Sequence, residues 1–479
     1  MVPMYIRYMG AEAYGLIGFF SMLQAWFQLL DIGLTPTMAR EAACFRGGAR
    51  DARSLLQLLR ALEGIFVGIA ILGAAAIVTA SSEIAGSWLK VQHMSLDEVQ
   101  RAIILMSLIV ALRWITGLYR GVITGFERLV WLSGFNIAVS TARFVLVIPL
   151  FSYVGTSPTA FFSYQLALAL FEIIVLVLYT YRILPRVTTG KLLPWHWAPL
   201  CGVLKFSLSV AFAGSVWVLV TQTDKLVLSK LLSLTDFAYF TLAVLVASGV
   251  SMICAPISGP LLPRLTKLSV EGDDAGVILL YRKATHLIGM ITIPASLVLA
   301  FFAEQVLWAW TGNAEIAHKA APVLSFYALG NGILSLGAFP YYLQFAKGNL
   351  RLHLIGSALF LVLLIPALLV STRHYGIIGA GYAWLGTNAA YFLFWVPMVH
   401  RKLHKGLHLT WLLRDVGPSL CLTLAGAVLI QALVKWPNGR VNVALYIALV
   451  SFALLAIAIA SSSWARKTVH LKLQRRFVG

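Results

Sequence analysis

The sequence predicts an all-α polytopic membrane protein, built as two pseudo-symmetric six-span helical bundles plus two C-terminal spans, with the first span of the first bundle missing. Three observations predict it. The 479 residues are 60% hydrophobic and 11% charged, with a mean hydropathy of +0.85; a soluble chain carries about a quarter charged residues. Roughly 13 apolar runs, each about 20 residues long, follow one another with short connections. Finally, Tyr5–Gly15 matches Leu228–Ala238 in residue type at an offset of 223, and Arg40 meets Arg264 at an offset of 224. Repeats in the same direction imply two similar halves in parallel orientation.

The runs of the first half centre on 14–38, 55–79, 102–122, 130–150 and 160–181. A basic linker, 185–199, follows, with Trp195 and Trp197 suited to a membrane interface. The second half, 200–400, holds runs at 200–223, 237–262, 286–310, 321–346, 353–372 and 376–399. Residues 401–479 add runs at 416–434 and 442–463, expected to face lipid, and a basic tail. The second half has a whole run, 200–223, ahead of its repeat segment, whereas the first lobe, 1–184, has almost nothing there. The expectation is one further apolar span ahead of residue 1 in the natural protein. Residues 83–101 mix Trp88, Leu89, Val91 and Met94 with charges and are expected to form an interfacial helix on the outer side.

The net charge of +19 is distributed by topology: of 37 Lys and Arg, 24 lie in one alternate set of connections, 9 in the other and 4 within spans. The positive-inside rule places the first set, and with it the C-terminus, in the cytoplasm. That pattern argues against a nucleic-acid surface. Cys44, Cys201, Cys254 and Cys421 are widely spaced, so neither a disulfide nor a metal site is suggested. His400, His404 and His408 are spaced i, i+4, i+8, but Arg401, Lys402, Lys405 and Gly406 interleave them. Contact with lipid headgroups is the better expectation there than a cation site. No nucleophile elbow and no phosphate-binding glycine loop is present, so neither an enzyme nor a cofactor is indicated.

Polar residues recur at helical spacing inside the runs. Ser21, Gln24, Gln28, Asp31 and Thr35 share one face; Arg113, Thr116, Arg120, Thr124 and Glu127 share another. Ser133, Asn136, Ser140 and Arg143 make a third, and Gln165, Glu172 and Tyr179 recur every seven residues. Membrane Ser, Thr and Gln often serve as packing glue, and the charged members could form internal salt-bridge scaffolding. Several charged stripes together predict a shared aqueous interior, because mid-span Arg and Asp facing lipid are costly. In the second half, Thr221, Gln222, Lys225 and Ser229 form one face, with Asp224 on nearly the opposite side, in need of a partner on another helix. Trp384, Thr387, Asn388 and Tyr391 form another, a mixture of aromatic and amide groups that suits sugar rings.

The stretch TQTDKLVLSKLLSLTDFAYFTLA (Thr221–Ala243), with LLDIGLTPTMAREAA (Leu29–Ala43) and GLYRGVITGFERLVWL (Gly117–Leu132), resembles the Wzx-type oligosaccharide flippases. These belong to the multidrug/oligosaccharidyl-lipid/polysaccharide (MATE-like) superfamily. The resemblance covers most of the chain. It implies a bacterial inner-membrane flippase that carries lipid (polyprenyl) diphosphate-linked oligosaccharide repeat units outward for O-antigen or exopolysaccharide assembly. On that reading the halves enclose a cationic cavity and alternate access across it. Arg113, Arg120, Arg143 and Lys225 are the candidates for the diphosphate, and Gln24, Gln28, Asn136, Gln222 and Asn388 for polar lining. Asp31, Glu172 and Asp224 are candidates for coupling to H+ or Na+. Partners would be the lipid-linked oligosaccharide, membrane lipids and the polysaccharide polymerase machinery. The alternatives are a cation-coupled drug exporter of the same superfamily, a membrane-embedded glycan polymerase or ligase, and a scaffold of the glycan machinery.

Overall fold

The computed structural model describes residues 2–31, 33–153, 155–185 and 198–461. The linker residues Trp195 and Trp197 and the basic tail beyond 461 lie outside the described residues. Among those described the chain is helical, and the only extended pairing is an isolated bridge between Lys90 and Ser233. Two compact units divide at Ala238, Met1–Ala238 and Tyr239–Gly479.

The first unit opens with α1 (Val2–Met9) and α2 (Ala11–Phe27), broken at Gly10. After a 3₁₀ turn, Gln28–Asp31, come α3 (Leu34–Arg46) and α4 (Ala52–Thr79). Asp51 caps α4 by accepting from the Arg53 N–H at 3.2 Å. A short α5 (Ser81–Glu83) and a π turn, Ile84–Trp88, lead to α6 (Leu96–Gly125), which Ser95 caps through the Glu98 N–H. Then follow α7 (Leu129–Phe144), α8 (Val147–Tyr153), α9 (Pro158–Ile183) and α10 (Ala198–Leu231). The next helix, α11 (Leu234–Met252), crosses the unit boundary. The break at Gly10 and the break between α10 and α11 fall at matching positions of the repeat.

The interfacial helix expected over 83–101 does not form. The chain turns at Ile84–Trp88, and Leu96 already begins the long α6. The intervening loop is held by the buried Glu12 carboxylate, which accepts from the backbone N–H groups of Gln92 (2.5 Å), His93 (3.0 Å) and Met94 (3.1 Å). Those bonds fix a non-helical backbone where the apolar pattern alone suggested a helix.

The second unit holds α12 (Ala255–Val270), α13 (Asp274–Phe301), α14 (Ala303–Thr311), α15 (Ala314–Gly337), α16 (Phe339–Ala346) and α17 (Arg351–Ala390). After a π turn come α18 (Val396–Leu403), α19 (Leu407–Thr410), α20 (Gly417–Leu433) and α21 (Arg440–Ser461). Gly376, at φ 58° and ψ −139°, interrupts α17 between two of the expected spans, a conformation open to a residue without a Cβ. α20 and α21 pack on each other and on α13 while exposing Leu429, Leu449 and Phe452.

Eleven helical stretches of the described residues are long and apolar enough to cross a membrane, with Arg351–Leu403 counted once despite its interruption. The 34 residues of α10 exceed the ~20 a bilayer requires. This is a multi-pass membrane protein.

α6 is the centre of the first unit and packs against α3, α4 and α9. Its approach to α3 depends on a glycine every fourth residue. A Cβ on Gly117 would meet Thr35 Oγ1 at 3.1 Å, one on Gly121 the Thr35 carbonyl at 2.7 Å, and one on Gly125 the Ala39 carbonyl at 2.3 Å. Such spacing lets helix backbones come together in lipid, where no hydrophobic force drives them. Gly125→Val is therefore expected to cost about 1–3 kcal/mol and to lower the melting temperature in detergent. Gly134→Ala, which meets nothing within 4 Å, is the control. Equal melting of the two variants would refute the close α3–α6 approach.

Candidate functional site

Two heptad spacings meet on facing helices. α6 carries Arg113 and Arg120, and α9 carries Gln165 and Glu172. Seven residues are two turns, about 10.5 Å of rise, so the pairs align as rungs. Arg113 Nη2 donates to Gln165 Oε1 at 2.8 Å, and Arg120 Nη2 to Glu172 Oε1 at 2.5 Å. Arg143, in the last turn of α7, takes the other carboxylate oxygen, Glu172 Oε2, at 2.9 Å. Arg120 Nη1 also donates to Asn136 Oδ1 on α7. Glu172 is 3% exposed and Gln165 2%. A carboxylate at that depth costs several kcal/mol unless it is paired and hydrogen-bonded, and here both oxygens are held by arginine.

Arg113 differs from its neighbours. Among the described residues no carboxylate forms an ion pair with it. Its partners are two amides, Gln165 and, at 3.5 Å, Gln24 Oε1, and the Phe20 ring, whose centroid lies 5.3 Å from the guanidinium carbon. It is within electrostatic reach of Arg143 and Glu172. Nε of Arg113 and Nε of Arg143 are buried without a hydrogen-bond partner. Arg113 lines a cavity of about 480 Å³ whose walls also include Gln28, Asp31, Thr35, Trp114 and Trp217. All of these belong to the first unit.

Asp31 ends the broken first span. Its Oδ1 accepts from the Thr35 N–H at 3.1 Å and from Thr35 Oγ1 at 2.8 Å, which secures the first turn of α3. The structure thus brings together Arg113, Arg120, Arg143, Glu172, Asn136 and Gln24, and sets Gln28 and Asp31 on the adjoining cavity.

The other predicted residues lie elsewhere. Lys225 Nζ bonds along its own helix, to Gln222 Oε1 at 2.9 Å and the Thr221 carbonyl at 3.4 Å. Asp224 is buried and accepts from the Lys225 N–H at 2.8 Å. Ser229 is taken by Trp88 Nε1 at 3.0 Å. Asn388 is buried in the second unit, where its Nδ2 donates to the Trp384 carbonyl at 2.8 Å, and Trp384 in turn donates to Asn331 at 3.1 Å.

His400 departs from the expected headgroup contact. It is buried, its Nε2 2.6 Å from the Tyr281 hydroxyl and its Nδ1 3.0 Å from Nδ1 of His408, while His404 is exposed. Four residues of the site escaped the sequence: Gln165 as the partner of Arg113, and Phe20, Trp114 and Trp217 around it. Only Gln165 left a signal, the heptad it shares with Glu172.

Residues 1–269 match the family model described as "Polysaccharide biosynthesis protein". An uncharacterized membrane protein of Methanocaldococcus jannaschii is 26% identical over 210 residues, 42% of this chain. The chain spans about half the length of that curated relative, 46%. Among solved structures, the lipid II flippase MurJ in an inward closed conformation superposes with a TM-score of 0.69 at 15% identity, over 98% of this chain and 96% of that one. An inward-facing multidrug resistance MATE family transporter of the MOP superfamily gives 0.63 at 14% identity, over 85% and 94%. At such identities these two share the fold, as the resemblance to MATE-like proteins led us to expect. The family model covers more than half of the sequence, and the chain belongs to the polysaccharide biosynthesis protein family.

Proposed function

We propose that the protein is a flippase that moves polyprenyl diphosphate-linked oligosaccharide repeat units from the cytoplasmic to the periplasmic leaflet by alternating access. The observation that carries this reading is Arg113, a cation without a carboxylate partner beside a cavity of about 480 Å³. Burying bare phosphate charge in hydrocarbon costs tens of kcal/mol, and a cation held ready at depth removes much of that barrier. Trp217 on the same cavity is exposed and offers a face for a sugar ring, whereas Trp114 is stacked on Phe66. The family's description, polysaccharide biosynthesis, agrees with such a substrate. The lipid tail would stay in the bilayer while the glycan crosses through the aqueous interior, toward O-antigen or exopolysaccharide assembly in a bacterial inner membrane.

The charges divide the work. Arg120 and Arg143 hold Glu172, which is their counter-ion rather than a free proton carrier, and Arg113 meets the diphosphate. Outward movement of a dianion is already favoured by about 2.3 kcal/mol per charge per 100 mV, negative inside. Asp31 and Asp224 are the carboxylates to test for exchange against H+ or Na+. A cation-coupled drug exporter fits less well, since Arg113 repels a cation and Asp31 is engaged by Thr35.

Translocation of a lipid-linked oligosaccharide in proteoliposomes tests this directly. Arg113→Ala is expected to cut the rate at least about tenfold, the weight of one charged contact, and to abolish surface polysaccharide in cells at a normal membrane level. Wild-type transport by that variant would end the proposal. Arg120→Ala and Arg143→Ala are expected to lose protein as well as activity, since breaking a buried ion pair costs about 3–5 kcal/mol; immunoblots of membranes separate the two effects. The basic loops further predict a cytoplasmic C-terminus, so green fluorescent protein fused after Gly479 is expected to fluoresce. A dark fusion with an active alkaline phosphatase counterpart would reverse the topology.

A further inference from the structure

We infer that Gln165 is a positioning residue: it aims the Arg113 guanidinium at the cavity and ties it to the interrupted span that carries Arg143. This inference rests on the anion-carrying role proposed for Arg113.

The fourth span does not run as one helix. α7 ends at Phe144 and α8 begins at Val147. Pro149 has no N–H to offer the Val145 carbonyl, one turn earlier, which favours a break there. A helix end inside a membrane needs partners for its last carbonyls. Two adjacent residues of α9 supply them: the Tyr164 hydroxyl donates to the Ala142 carbonyl at 2.7 Å, and Gln165 Nε2 to the Arg143 carbonyl at 3.4 Å.

Among the described residues the Tyr164 hydroxyl makes only that bond, whereas Gln165 has a second task. Its Oε1 accepts from Arg113 at 2.8 Å, so one amide spans the α7 terminus and the cavity arginine. At 2% exposure neither end of the amide can turn to water, and its orientation is set by its two partners. Without it, Arg113 retains the longer contact to Gln24 at 3.5 Å and the Phe20 ring. An arginine free to change rotamer would have to be ordered again at each binding event. The amide holds the guanidinium still and leaves its charge available, which a carboxylate at the same place would not.

The rival explanation is that Gln165 only caps α7, as Tyr164 does. Inorganic pyrophosphate is the probe, titrated calorimetrically into the full-length protein in detergent, with melting temperature measured in parallel. Gln165→Met is expected to weaken binding about tenfold, the size of one hydrogen bond to a charged group, while Tyr164→Phe stays within about twofold. Arg113→Ala combined with Gln165→Met is expected to bind no more weakly than Arg113→Ala alone, because Gln165 acts through Arg113. Equal effects of Gln165→Met and Tyr164→Phe, or additive losses in the double variant, overturn the inference. If Gln165→Met does not fold, Gln165→Asn, whose shorter amide reaches one partner at a time, is expected at about threefold weaker; unchanged affinity there is equally fatal. Affinity lost in Arg113→Ala but kept in Gln165→Met removes this inference alone. Affinity unchanged in Arg113→Ala removes the functional reading beneath it too.

Discussion

A single carboxylate, Glu172, organises the charged interior of the first unit. It lies 3% exposed on α9 and takes one guanidinium on each oxygen, Arg120 from α6 and Arg143 from α7. Three helices are thereby held by one buried group. On the side of α6 toward α3, Gly117, Gly121 and Gly125 allow backbone contact. The helix is thus fixed by small residues along one face and by charge along another. Arg113, two turns from Arg120, inherits that fixed frame and is left without an acid of its own.

Much of the fold could be read from the residues because bilayer thickness and helical rise leave little choice. An apolar run of about 20 residues becomes a crossing, and the runs reappear as helices. The site was legible where spacing coincided on two helices: Arg113 and Arg120 recur at seven, as do Gln165 and Glu172, and the rungs follow from that agreement. Where one helix alone carried the signal, spacing named a face but not what the face meets. Lys225 illustrates this. Its stripe with Thr221 and Gln222 is real, yet at i−3 and i−4 those residues are themselves its partners. Asn388 likewise lies in a shared polar face, and its donor is satisfied by the carbonyl one turn earlier.

Other misreadings share one cause, bonds formed between segments distant in sequence. The loop at Gln92–Met94 is non-helical because Glu12, some 80 residues earlier, offers its backbone a carboxylate. His400 is drawn inward by Tyr281, whose hydroxyl a local pattern of His, Lys and Arg cannot reveal. The three arginines are the same residue type, and the position of one acid on a neighbouring helix separates the two that form ion pairs from the one that does not.

The second unit shows what membrane charge looks like when it is structural. Arg282 meets Asp415 through two bonds, at 2.6 and 2.9 Å, and the Asp415 carbonyl lies 2.9 Å from His286 Nδ1. Trp411 donates to Thr285 at 3.1 Å. Here cation and anion balance, and the result fastens the start of α20 to α13. Around the cavity of the first unit the balance is withheld: Arg120 and Arg143 share the buried Glu172, and Arg113 is held by amides. The flippase proposed above needs that arrangement. Amide oxygens fix a guanidinium without cancelling its charge, so the anion proposed as cargo would meet a cation already in place, with no carboxylate paired to it. On that proposal, one such cation at the cavity in place of three binds the anion less tightly and so favours its release.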